Sequence, residues 1–147
     1  MNDPSKPQVV SNRAQGEGGR GAPSQTRSYI QLKQQGPFSD AVQVGNTLYL
    51  SGRIGLDESG KRVPGNIETE ARNLMDGIQA VLVKAGMNMN DLVYVQVFCP
   101  DVSLWKRFNA IYASYFTDQL PARAFIGSGK LLFDAHFELQ GIAIKDR

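Results

Sequence analysis

Between Asn66 and Gly86 the chain can only be a helix with one apolar side. Ile67, Ala71, Leu74, Met75, Ile78, Val81, Leu82 and Ala85 fall at i, i+4, i+7, i+8, i+11, i+14, i+15 and i+18. Residues three and four apart stack on one helical face, so these eight form one continuous stripe. Asn66 supplies an N-cap oxygen and Gly86 a stop. A stripe of that length must be buried against another layer, which restricts the chain to a packed, layered fold.

The rest of the pattern supplies a sheet and a second helix. Ser28 to Lys33 alternates as a short strand, and Gly36-Pro37-Phe38-Ser39-Asp40 reads as a turn. Ala41–Val44 and Thr47–Ser51 flank Gly45-Asn46, a two-residue hairpin signal. Gly52 to Gly65 reads as a polar loop bearing Arg53, Asp57, Lys61 and Arg62. Leu92 to Cys99 is a β-branched and aromatic strand with few polar positions, expected to be covered on both faces. A helix begins at Asp101 or Ser103 and runs to near Thr117. Leu104, Phe108, Ile111, Tyr112, Tyr115 and Phe116 form its inner stripe, with Trp105 beside it and Asn109 at its margin. The order β-β-β-α-β-α-β-β predicts an α+β fold, a two-layer sandwich of a mixed sheet with two helices on one face.

Charge and composition narrow the chemistry. Residues 1–27 are rich in Gly, Pro, Ser, Gln and Arg and contain no aromatic residue, so they read as a flexible N-terminal tail ahead of a domain spanning 28–147. The tail holds four basic and two acidic groups, the whole of the net +2, and residues 28–147 carry twelve of each. The body therefore has no basic cluster of the kind that binds phosphate backbones, and nucleic acid is not an expected partner. No apolar run approaches the ~18 residues of a membrane span, and no signal-like segment opens the chain, so a cytoplasmic protein is expected. The lone Cys99 excludes an internal disulfide and reads as a buried, inert thiol beside Val93, Val95 and Val97. One histidine, His136, and one cysteine are too few for a typical structural zinc site; neither metal nor organic cofactor is expected. Asp57-Glu58 and Glu68 with Glu70 read as solvated surface charge.

The chemistry concentrates in Pro121–Ile144. Both flanks of Gly127-Ser128-Gly129-Lys130 alternate like strands, so Arg123 shares a face with Phe125, and Glu138 with Gln140. A guanidinium and a carboxylate on neighbouring strands can be an ion pair, or a carboxylate-binding fork beside an acid/base group.

Several motifs over residues 28–147 carry a resemblance. They are Gly36-Pro37-Phe38-Ser39-Asp40-Ala41, Ser51-Gly52, Phe108-Asn109 with Tyr112 and Tyr115-Phe116, Pro121-Ala122-Arg123, and Phe137-Glu138-Leu139. In these the chain resembles the RidA/YjgF family of reactive-intermediate enamine/imine deaminases, whose names include endoribonuclease L-PSP. The resemblance implies a chorismate-mutase-like fold and a homotrimer with sites in the clefts between subunits. It also implies hydrolysis of 2-imino or enamine acids to 2-oxo acids and ammonia, without metal or cofactor. Carried onto this chain, Arg123 would grip the substrate carboxylate and Glu138 would hold the attacking water. Phe38, Ser51, Gly52, Asn109 and Phe125 would line the pocket. The chain departs from the usual deaminating pattern at Phe38 (Tyr), at Phe125 (a small residue or Cys) and at Arg53 (Gln). Two other readings stay open: a non-catalytic relative that binds a small carboxylate, and an RNA-cleaving or translation-inhibiting one.

Overall fold

A computed structural model describes residues 26–33 and 36–146. Their strands and helices are β1 (Arg27–Ile30), β2 (Ala41–Val44), β3 (Thr47–Ile54), α1 (Ile67–Lys84), β4 (Leu92–Cys99), α2 (Trp105–Ala113), β5 (Ala122–Gly127) and β6 (Glu138–Ile144). The tail expected over 1–27 lies outside the described residues, apart from Thr26 and Arg27. Arg27 already pairs with Val44, so the sheet starts one residue before the expected boundary.

The helical signals translate directly. The Asn66 side chain accepts the Thr69 N–H at 2.9 Å, and Gly86 closes α1 at φ +73°, a conformation open to glycine. The stripe of α1 is buried from Ala71 through Leu82. Each Leu, Ile or Val so buried contributes roughly 1.5–3 kcal/mol relative to exposure. Helix α2 ends at Ala113 rather than near Thr117, because the chain turns through Ser114 and Tyr115. Tyr115 and Phe116 still pack on the core.

All six strands join one mixed sheet in the order β1-β2-β3-β6-β4-β5. Only β4 and β5 are parallel, with α2 as the crossover between them. Cross-strand partners share a face, so the register sorts every side chain. The rung Ala41–Leu50–Gly141–Val95–Arg123 faces the helices. Its neighbour, Tyr29–Val42–Tyr49–Ile142–Tyr94–Ala122, faces away from them. On the helix side Leu48, Val95, Val97, Cys99, Leu139 and Ala143 are wholly buried. On the open side Tyr29 is 65% exposed, Tyr49 52% and Tyr94 36%. The face therefore carries an aromatic band around a depression of about 250 Å³ lined by Tyr49, Tyr94, Gln96, Gln140 and Ile142.

Four expectations need correction. β4 is covered on one face only, since Tyr94 looks out from the open side. A register shift between Leu92 and Tyr94 turns Val93 to solvent, so it does not share the face of Cys99. Gly52, Arg53 and Ile54 belong to β3, not to a loop. Glu70 is not surface charge: it is entirely buried.

Candidate active site

Arg123 and Glu138 are not on neighbouring strands. β4 lies between β5 and β6, and the two side chains occupy opposite faces of the sheet. Arg123 ends a helix-side rung. Glu138 belongs to the rung Ile54–Glu138–Phe98–Ile126, three residues further along β4 and on the open side. Two strand spacings and three residues separate their backbones by roughly 14 Å. One protomer cannot bring the groups together, and the ion-pair reading of this couple fails.

Arg123 is built into an aromatic corner at the sheet edge. Its guanidinium carbon lies 4.7 Å from the Tyr112 ring centroid and 5.5 Å from that of Phe125. Both rings lean on Phe108, at 5.7 Å and 5.8 Å, and Phe108 is fully buried. Ring faces attract a cation without occupying its N–H donors. Among the described ion pairs Arg123 takes no part, so its fork stays available for an anion. Two buried polar atoms on the same helix have no partner: the Asn109 Oδ1 and the Tyr112 hydroxyl. The second of them belongs to the ring that braces Arg123, and an orphaned hydroxyl beside an unpaired cation marks a surface completed by something else. Burial pushes the Tyr112 phenol up to about 12 while the Arg123 charge pulls it the other way, which keeps the hydroxyl protonated as a donor.

Glu138 stands in a polar corner made of backbone turns. A Cβ at Gly52 would lie 3.0 Å from the Glu138 Oε1, so the absent side chain is what lets the carboxylate lie over β3. A register irregularity between Leu50 and Arg53 places Ser51 and Gly52 here. The Ser51 hydroxyl donates to the Ser39 carbonyl, and its N–H donates to the Asp40 carbonyl at 3.0 Å. These bonds tie the Phe38 turn to β3. Phe38 itself is half exposed, its ring folded over Gly36. The structure thus groups Ser51, Gly52 and Glu138 with the Phe38 turn, and separately groups Arg123, Phe125 and α2 with Asn109.

Arg53 plays no part in the Glu138 corner. It points to the helix side, lies against Gly77 and pairs with the buried Asp40 at 3.3 Å. Cys99 is buried, donates its thiol to the Asp101 carbonyl at 3.0 Å, and is pushed up by desolvation, as an inert thiol should be. Among the described residues no three His, Cys, Asp or Glu side chains are grouped to hold a metal ion. No described helix is long and apolar enough to cross a membrane. Sequence reasoning placed Tyr112 in the core stripe and missed it as the brace of Arg123. The available signal was its position three residues after Asn109, one turn along the same face.

Residues 30–145 match the family described as Endoribonuclease L-PSP. A "RutC family protein" of Sulfurisphaera tokodaii is 38% identical over 114 residues, covering 77% of this chain and 91% of that protein. A mouse protein named 2-iminobutanoate/2-iminopropanoate deaminase is 38% identical over 111 residues, covering 75% and 82%. Among solved structures, RidA from the Antarctic bacterium Psychrobacter sp. PAMC 21119 superposes with a TM-score of 0.75 at 28% identity, covering 80% of this chain and 99% of that one. The E. coli YjgF gene product gives 0.76 at 28% identity, covering 81% and 99%. The sheet architecture and these likenesses agree, and the chain belongs to the endoribonuclease L-PSP family, the family of RidA and YjgF.

Proposed function

We propose that this protein is a hydrolytic deaminase that converts 2-imino or enamine acids to 2-oxo acids and ammonia, in a cleft shared by two copies of the chain. The observation that carries the reading is Arg123 on its aromatic brace and Glu138 on the opposite face, neither of them in any described ion pair. In a protomer that wasted both groups, each would be an uncompensated charge. In a ring of copies, the Arg123 corner of one chain can meet the Glu138 corner of the next. A homotrimer of that kind would also cover the aromatic band on the open face.

The chemistry needs little else. Arg123 holds the substrate carboxylate by two parallel N–H bonds, which orients the imine carbon. Glu138 of the other copy holds a water and accepts its proton as the water oxygen bonds to that carbon. The imine nitrogen gains a proton, the resulting carbinolamine loses its C–N bond, and ammonia leaves as the C=O forms. The deaminase name of the mouse relative supports this direction. A cytoplasmic location is part of the same proposal.

Release of ammonia from imino acids generated in situ tests the reading, with Arg123→Lys and Glu138→Gln as impaired controls. A second reading is a carrier of small carboxylates, favoured by the apolar rings of Phe38 and Phe125 in the two corners. Binding of a 2-oxo acid without ammonia release from any imine would select it.

A further inference from the structure

We infer that Glu70 is a positioning residue for Glu138, acting through His136; the inference rests on the hydrolytic role proposed for Glu138. Glu70 lies one turn into α1 with 0% of its surface exposed, where a carboxylate is costly unless its oxygens are bonded. Both oxygens bond a single residue. Oε2 accepts the His136 backbone N–H at 2.7 Å, and Oε1 lies 2.8 Å from its Nδ1, which makes Nδ1–H the donor to a carboxylate.

His136 is two residues ahead of Glu138. Phe137, between them, is fully buried with its ring 4.8 Å from that of Phe108. The segment is thus pinned to α1 at 136 and to the core at 137, and Glu138 emerges on the other face. Ahead of it Ala135 is buried, but the turn before that is weakly held. Phe133 and Asp134 adopt φ of 57° and 54°, consecutive left-handed residues that are not glycine, and Leu132 and Phe133 are exposed. Such a conformation persists only where its surroundings enforce it. The same turn of α1 also backs β3: a Cβ at Gly55 would lie 2.0 Å from the Glu70 carbonyl oxygen. Gly55 follows Ile54, the cross-strand partner of Glu138. Glu70 therefore stands behind both strands that frame the Glu138 corner, and neither of its oxygens bonds a residue of the Arg123 corner.

A buried carboxylate of purely structural worth would lower stability when removed and leave the remaining folded enzyme unchanged. A positioning role shows as a split between kcat and KM. Glu70→Met should lower kcat about tenfold or more with KM within about twofold, since Arg123 still binds the carboxylate. Glu70→Gln keeps an acceptor for the His136 N–H and can donate to the other ring tautomer, so it should retain kcat within about threefold. Should Glu70→Met not fold, His136→Leu, which removes only the ring contact, should lower kcat about threefold with KM kept. A folded Glu70→Met or His136→Leu with wild-type kcat, or with kcat unchanged and KM raised, overturns the inference. Amide hydrogen exchange needs no substrate and reads the pin itself. Faster exchange confined to 132–138 in Glu70→Met or His136→Leu supports it, and unchanged or uniformly raised exchange overturns it. If wild type released no ammonia from any imine while exchange at 132–138 still responded, the proposed reaction would fail and the pin would stand.

Discussion

Arg123 ends a rung whose other members lie beneath the helices, whereas Glu138 shares its rung with Ile54, Phe98 and Ile126 on the face the helices leave open. The first is braced by rings of the core, so its position is set by side-chain packing. The second is set by backbone, through Gly52, the Ser51 bonds and the pinned start of β6. Their separation explains why neither neutralises the other. Had both groups shared a face on adjacent strands, an Arg–Glu pair would form and leave neither free for substrate and water. In the proposed reaction, keeping them apart in one chain would preserve both for a site that a second chain completes.

The sharpest way to break this comparison is to disable one corner at a time and then mix. Arg123→Lys keeps charge but loses the bidentate fork, which should cost on the order of 1.5–3 kcal/mol, roughly ten- to a hundredfold in kcat/KM. Glu138→Gln should remove water activation at least as severely while a 2-oxo acid still binds. Refolding the two variants together at equal concentration should then restore activity to about a quarter of wild type, because both corners are intact in one shared site in four. No recovery on mixing, with mixed oligomers demonstrated by mass, would place the whole site within one protomer and refute the division.

How much of this was legible depends on the range of the interaction. The helix of Ile67–Lys84, the Gly45-Asn46 hairpin and the burial of Cys99 follow from local pattern, and all are present. The partnership of β5 was not local. Its parallel pairing with β4 through α2 inserts a strand between Arg123 and Glu138, and no spacing of fifteen residues reveals that. Period-2 reading correctly put Arg123 with Phe125 and Glu138 with Gln140, but did not reveal that the two pairs take opposite faces of the sheet. Glu70 was misread for a related reason. Next to Glu68 and Thr69 on a helix start it looks solvated, and only the return of the chain at His136, 66 residues later, supplies its partner.

A smaller effect tests whether the Arg123 corner also selects substrate. Phe125 is half-buried, and its ring lies both against Phe108 and 5.5 Å from the Arg123 guanidinium carbon, so one edge belongs to the core and another to the corner. Imines with aliphatic or aromatic side chains should gain about 0.8 kcal/mol for each methylene buried against it. Phe125→Cys should reduce the ratio of kcat/KM for the leucine-derived over the alanine-derived imine by roughly fourfold for each methylene that the smaller side chain leaves in water. Because the Phe125 ring also braces the guanidinium, the Arg123→Lys penalty should couple to this change and not simply add to it. A ratio that does not move would assign Phe125 to the core alone.

The smallest expected effect concerns acid, and it should touch one corner more than the other. Glu68, in the first turn of α1, accepts two N–H bonds from Arg107 of α2 at 2.7 Å and 2.9 Å. Those bonds hold its carboxyl at about 2, below an ordinary 4.5. A carboxyl depressed by folding favours the folded state in its charged form, so its contribution is whole above the unfolded value and is lost as pH falls through the folded one. The difference in Tm between wild type and Glu68→Gln should therefore be constant above pH 4.5, narrow below it, and close near pH 2. Because both side chains meet solvent, the difference should be small and should shrink further in salt. The pair ties α1 to the helix that carries Asn109 and Tyr112, while β6 is tied to α1 by the buried Glu70 instead. Glu68→Gln should accordingly speed amide exchange in α2 and leave 136–138 unchanged. A difference that grows as pH falls would refute the depressed carboxyl, and exchange that rises first at the start of β6 would mean the two corners are not held independently.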